Sequence, residues 1–146
     1  MESSAQRLLV VEDDVTVARA LSRTLARRGF AVAICRSCTA ARTLTQTFDF
    51  AVLDLDLPDG NGVDLARHLI ESGRVPGVLF FTGSSDSSLL ARARRIGTVI
   101  RKSEGTSPIL AFLSHEQSGP PQSQTTPRGR SIRASSSSSL RRQRAR

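Results

Sequence analysis

The sequence predicts an α/β fold in which a parallel sheet is covered by helices on both faces. Three observations lead there. Leu8-Leu9-Val10-Val11, Ala51-Val52-Leu53 and Val78-Leu79-Phe80-Phe81 are unbroken apolar runs of strand length, as suits strands buried on both faces. Each run is followed by a helix-like pattern, so the strands run parallel with their carboxyl ends on one edge. Each run also ends abruptly on polar residues: Glu12-Asp13-Asp14, Asp54, and Thr82-Gly83. Sheets of this kind bind ligands in the crevice at that edge.

The remaining elements follow from caps and spacing. Asp14 is placed to cap a helix over Val15 to Arg28, with Val17, Leu21 and Leu25 facing the sheet and Gly29 closing it in a left-handed conformation. Arg19, Arg23 and Arg27 form a row on another face, which reads as a solvated surface. A strand from Phe30 to Ile34 follows, then an irregular helix from Thr39 to Thr47. After the Asp54 strand, Pro58, Gly60 and Gly62 mark a loop of turn formers, the glycines tolerating conformations that other residues resist. Val63 to Glu71 is the third helix, ended by Gly73, and Pro76 delays the next strand. Asp86 or a neighbouring serine caps a fourth helix carrying Leu89, Leu90, Ala93 and Ile96 inward, and Gly97 closes it. Thr98 to Arg101 is a weak fifth strand, and Pro108 to His115 a short last helix.

The strand ends carry the chemistry. Asp54 stands at a strand tip, half out of the core, on the same edge as Glu12, Asp13 and the Thr82 hydroxyl. Crowded carboxylates raise one another's pKa, and a divalent cation removes that conflict. An oxygen-only donor set points to magnesium (Mg2+), which binds through one or two carboxylates and keeps several waters. Lys102, just past the fifth strand, brings one positive charge to the same edge.

Charge separates the chain into two parts. Residues 1–115 hold 14 Lys and Arg against 12 Asp and Glu, whereas residues 116–146 hold seven Arg against Glu116 alone. At 146 residues there is room for one domain with a core. From Glu116 the chain turns to Gly-Pro-Pro, a serine run and arginines, a composition that does not offset the entropy of ordering. This tail is expected to be disordered, with at most weak, salt-sensitive and non-specific contact to a polyanion, since it has no aromatic residue to stack on bases. The amino terminus, Met-Glu-Ser-Ser, is unlike a signal peptide, and no apolar run approaches the ~20 residues of a membrane span. The expected location is cytoplasmic, away from any membrane.

Cys35-Arg36-Ser37-Cys38 has the spacing of a redox or metal-binding pair. Structural zinc needs four ligands, and the sequence offers no second Cys or His pair. The place at a helix start after a strand keeps redox chemistry open, but reduced structural thiols are the better reading.

Taken in order, Glu12-Asp13, Asp54 within Asp54-Leu55-Asp56-Leu57-Pro58, Thr82 and Lys102 resemble the receiver domain of bacterial two-component response regulators. The resemblance covers residues 6–115 and implies a flavodoxin-like doubly wound (βα)5 fold, with five parallel strands in the order 2-1-3-4-5. It implies a stand-alone receiver, without an output domain, that is not an enzyme. Asp54 is then the phosphoacceptor, taking a phosphoryl group from a phosphohistidine on a sensor histidine kinase or histidine phosphotransfer protein. By the same resemblance Asp13 binds Mg2+ directly, Glu12 partly through water, and Asp54 and the backbone carbonyl of Asp56 complete the protein ligands. Thr82, Gly83 and Lys102 form the phosphoryl-binding and switch group, acting on a downstream protein target that the sequence does not name.

The chain departs from that family in places. Val99 and Ile100 stand where relatives usually carry an aromatic switch residue, Ser103 replaces a proline, and the segment from Gly97 to Lys102 is shortened. Switching is therefore expected to centre on the loop after Thr82. These departures keep open a phosphorylation-independent protein-binding module of receiver-like fold. The Asp54-Leu55-Asp56 motif also resembles the nucleophile of haloacid-dehalogenase-type phosphatases, but it lies on the third strand and is followed by Leu57-Pro58.

Overall fold

The computed structural model describes residues 5–118. Five parallel strands form one sheet: β1 (Arg7–Val11), β2 (Ala31–Cys35), β3 (Phe50–Leu53), β6 (Val78–Thr82) and β7 (Thr98–Arg101). Between β3 and β6 a small antiparallel hairpin pairs β4 (Asp56–Leu57) with β5 (Gly60–Asn61). The sheet order is β2-β1-β3-β6-β7, so counting sheet strands alone gives the expected 2-1-3-4-5. The fold is flavodoxin-like α/β.

Helices α1 (Val15–Arg27), α2 (Cys38–Arg42), α3 (Gly62–Glu71) and α4 (Ser87–Arg94) link the strands. Alternate residues of each strand face opposite sides of the sheet. Leu9, Val11, Ala51, Leu53 and Phe80 pack in one cluster with Cys38 and Ala41 of α2, Val63, Leu65, Ala66 and Leu69 of α3, and Leu89, Leu90 and Ala93 of α4. Helix α1 buries Ala18, Leu21 and Leu25. Leu21 and Leu25 face inward as expected, while Ala18 takes the first inward position and Val17 is only half-buried.

Side-chain caps start the helices as read from the sequence. Asp14 accepts from the N–H groups of Thr16 and Val17, and Asp86 from that of Leu89. Gly29 and Gly73 follow their helices with φ of 94° and 77°. Helix α2 is much shorter than the expected Thr39 to Thr47. It ends because the Thr43 hydroxyl donates to the Ala40 carbonyl at 2.8 Å, and the chain beyond alternates β-branched threonines with other residues. Gly60 and Gly62 do not have positive φ; the hairpin between β4 and β5 replaces the open loop expected there. The described residues fall into two units, 5–109 and 110–118. Among the described residues the second unit is the carboxyl-terminal part of α5 (Ser107–Ser118), a helix that runs past the expected end at His115 and into the start of the tail as read from composition. The rest of that tail lies outside the described residues.

Candidate functional site

The sheet register brings the acidic residues together. The Asp54 N–H donates to the Val11 carbonyl and the Glu12 N–H to the Cys35 carbonyl, each at 3.0 Å. Both ladders thus continue one step past the strands, and the two carboxylates stand at neighbouring tips. The structure makes Asp54 more enclosed than a half-exposed strand tip: it is 5% exposed, and Glu12 3%. Behind Asp54 the chain turns inward through the fully buried Leu55, whose carbonyl accepts from the Gly62 N–H at 2.9 Å. Gly62 is needed for that approach. A Cβ there would collide with the Asp54 carbonyl and lie 3.1 Å from the Leu55 Cα.

Asp13 is exposed and completes the acidic group. One carboxylate oxygen from each of Glu12, Asp13 and Asp54 lies within 4.8 Å of the others. Three hard oxygen donors this close fit a small divalent cation such as Mg2+. Asp56 is exposed on β4, and its N–H points to Asp54 Oδ1 at a long 3.4 Å.

Lys102 brings the expected positive charge. Thr82 pairs with Arg101 between β6 and β7, so Lys102 emerges one step beyond, in a 3-10 turn, at the same edge. Its Nζ lies 2.8 Å from Glu12 Oε1 and 3.0 Å from Asp54 Oδ2. Burial alone would lower the ammonium's pKa, but the bonds to Glu12 and Asp54 outweigh it and hold the group above its ordinary value. Burial pushes the Glu12 carboxyl up to about 7, opposed by Lys102 and reinforced by the Asp54 charge.

Thr82 is fully buried, and its hydroxyl accepts from the Ser84 N–H at 3.0 Å. Ser84, also buried, accepts in turn from the Asp86 N–H, which links Thr82 to the cap of α4. A Cβ at Gly83 would meet only Lys102 Cδ, at 3.9 Å, so this position leaves open the space beside the lysine. Glu12, Asp13, Asp54 and Lys102 therefore meet at one edge, with Gly83 beside the lysine, whereas the contact seen for Asp56 is made by its N–H and not by its carbonyl.

Two contributors were not anticipated. Ser84 relays the Thr82 hydroxyl to α4. Asp59 clamps the hairpin to α2, accepting from the Cys38 N–H, the Thr39 N–H and the Thr39 hydroxyl at 2.8, 2.8 and 2.6 Å. A pairing about twenty residues away leaves no local mark in the sequence. Cys35 and Cys38 are free and buried, and burial raises both thiols.

Residues 8–113 match the family model described as the response regulator receiver domain. The chain belongs to the response-regulator receiver family. The receiver is 36% identical over 89 residues to the DNA-binding response regulator MtrA of Mycobacterium tuberculosis, covering 60% of this chain and 39% of MtrA. It is 38% identical over 93 residues to the transcriptional regulatory protein CutR of Streptomyces coelicolor, covering 62% of this chain and 43% of CutR. The chain thus spans about two fifths of the length of these curated relatives. Among solved structures, the non-phosphorylated HemR receiver domain from Leptospira biflexa superposes with a TM-score of 0.69 at 30% identity, over 85% of this chain and 99% of that one. A CheY-like receiver from Methanospirillum hungatei gives 0.69 at 21% identity, over 79% and 95%. Receivers are signalling modules of two-component systems. Among the described residues no helix is long and apolar enough to cross a membrane. The Asp54-Leu55-Asp56 motif follows β3, the third strand in chain order.

Proposed function

We propose that this receiver accepts a phosphoryl group on Asp54 from a phosphohistidine of a sensor histidine kinase or histidine phosphotransfer protein. The observation that carries the reading is the enclosed Asp54 carboxylate, held 3.0 Å from Lys102 and grouped with Glu12 and Asp13. An Asp54 carboxylate oxygen attacks phosphorus, the P–N bond of the phosphohistidine breaks, and the imidazole leaves with the bonding pair and takes up a proton. Phosphoryl transfer is mostly positioning and charge stabilisation. Lys102, already aimed at Asp54, follows the charge that moves onto the phosphoryl oxygens. Asp13 and Asp54 would hold Mg2+ directly, Glu12 partly through water, and Asp56 through its backbone carbonyl. When bound, the ion supplies charge neutralisation at the transferring group.

After transfer the Thr82 hydroxyl gives up the Ser84 N–H and donates to a phosphoryl oxygen, in the space that Gly83 leaves open. Ser84 and the Asp86 cap then carry that shift to α4, altering a surface read by a downstream protein. A bias of ~1.4 kcal/mol changes the ratio of the two states tenfold, within the reach of one or two hydrogen bonds. On this reading the receiver domain spans residues 6–115, and its role is that of a switch, not an enzyme. Val99 and Ile100, in place of an aromatic, favour a second reading: a protein-binding module that operates without phosphorylation.

Titration calorimetry with Mg2+ tests the site. Asp13→Asn is expected to weaken binding sharply and Glu12→Gln less, whereas equal affinity in both variants and the wild type would remove the acidic pair from the site.

A further inference from the structure

We propose that Cys35 and Cys38 are a modification site: a dithiol whose oxidation to an intrachain disulfide reshapes the acidic pocket from behind. The consequence for metal rests on the reading of that pocket given above; the coupling itself rests on contacts. Cys35 ends β2 and Cys38 begins α2, and both side chains lie in the same core cluster. Each residue holds a different wall of the pocket. The Cys35 carbonyl accepts from the Glu12 N–H at 3.0 Å. The Cys38 N–H donates to Asp59 Oδ1 at 2.8 Å, and Cys38 Sγ lies 3.9 Å from the Asn61 carbonyl oxygen. A Cβ at Gly60 would stand 3.2 Å from that same sulfur. The hairpin that joins Asp54 to α3 therefore rests on the Cys38 side chain.

The route to reaction is also built in. Helix α2 has only five residues, far short of a self-sustaining helix, and its first turn is tied down by Asp59 and Ser37. Local opening costs those few bonds and frees the Cys38 sulfur, at the start of the helix, from the core. In the closed form the thiols are protonated and shielded, so oxidation proceeds through the open form. The oxidant is a small disulfide. One cysteine thiolate attacks it and displaces one thiol; the second cysteine then attacks the mixed disulfide and displaces the other. Two cysteine thiols lose two protons and two electrons, and the small disulfide gains them as two thiols. Oxidation removes the Cys38 S–H that faces the Asn61 carbonyl and joins covalently the two residues that hold Glu12 and the hairpin. The hairpin loses that contact, and the backbone that holds Glu12 is tied to α2.

The test uses the full chain and oxidised glutathione. Intact mass is expected to fall by two hydrogens, reversibly with reductant, and not to fall in Cys35→Ala. The oxidised protein is expected to bind Mg2+ about tenfold more weakly, as when outer contacts of a metal site are lost, and to exchange amides at residues 56–62 faster. Only a glutathione adduct, no oxidation, or a disulfide with unchanged exchange and Mg2+ affinity would overturn the proposal. If the reduced protein binds no Mg2+, the phosphoacceptor reading fails, and the exchange at residues 56–62 alone decides: faster on oxidation supports the coupling, unchanged overturns it.

Discussion

Lys102 Nζ and Asp54 Oδ2, 48 residues apart in the chain, meet at 3.0 Å at the carboxyl edge of the sheet. The pair exists because β3 and β7 flank β6 in register, so that each places its next residue on the same rim.

Removing that ammonium leaves Glu12 and Asp54 enclosed without a counter-charge. Lys102→Ala is expected to lower the unfolding free energy by about 2 kcal/mol, less than the ~3–5 kcal/mol of a fully buried pair because the lysine is partly exposed. Mg2+ is expected to restore part of the loss by neutralising the same carboxylates. Urea denaturation with and without Mg2+ checks both statements; a loss that Mg2+ leaves untouched would separate Lys102 from the metal site.

Asp59 supplies a pH-dependent clamp. Hydrogen bonds from the Thr39 hydroxyl and N–H and from the Cys38 N–H lower its carboxyl from the ordinary 3.8 to about 2. A folded-state value below the ordinary one means that the contribution is complete above the ordinary value and is lost as pH falls through about 2. Asp59→Ala is expected to melt a few degrees below the wild type at neutral pH. The gap is expected to narrow only as pH drops below the ordinary carboxylate range. Melting curves of both proteins across acid pH measure it, and a gap that closes well above pH 4 would exclude Asp59 as its source.

Most of this geometry was legible because it depends on strand ends. The three apolar runs and their polar stops alone put Glu12, Asp13, Asp54 and Thr82 on one edge, since a parallel sheet leaves little freedom there. Lys102 was legible for the same reason. What stayed hidden depends on contacts across the chain. Asp59 reads locally as a turn residue in Pro58-Asp59-Gly60, yet it caps a helix 20 residues upstream. Gly62 reads as a flexible residue, but the structure uses its lack of a side chain to bring α3 against the Asp54 carbonyl. The end of α2 is not legible because Ala40, Ala41 and Leu44 continue a helical spacing that Thr43 ends through its own hydroxyl.

Thr82 responds to the phosphoryl group but is not needed to receive it. Thr82→Ala is expected to be phosphorylated by a small-molecule donor and to lose most of the change in the 82–86 loop and α4. Amide exchange with and without beryllofluoride reads this directly. Protection changes centred on residues 98–101, or undiminished in Thr82→Ala, would contradict a switch carried through Ser84 and Asp86.

The most direct measurement is the intact mass of the protein after incubation with acetyl phosphate and Mg2+. The expected result is the gain of one phosphoryl group, removed by hydroxylamine, absent when the metal is chelated, and absent in Asp54→Asn. An equal gain in Asp54→Asn, or no gain in the wild type under the same conditions, would contradict Asp54 as the phosphoacceptor.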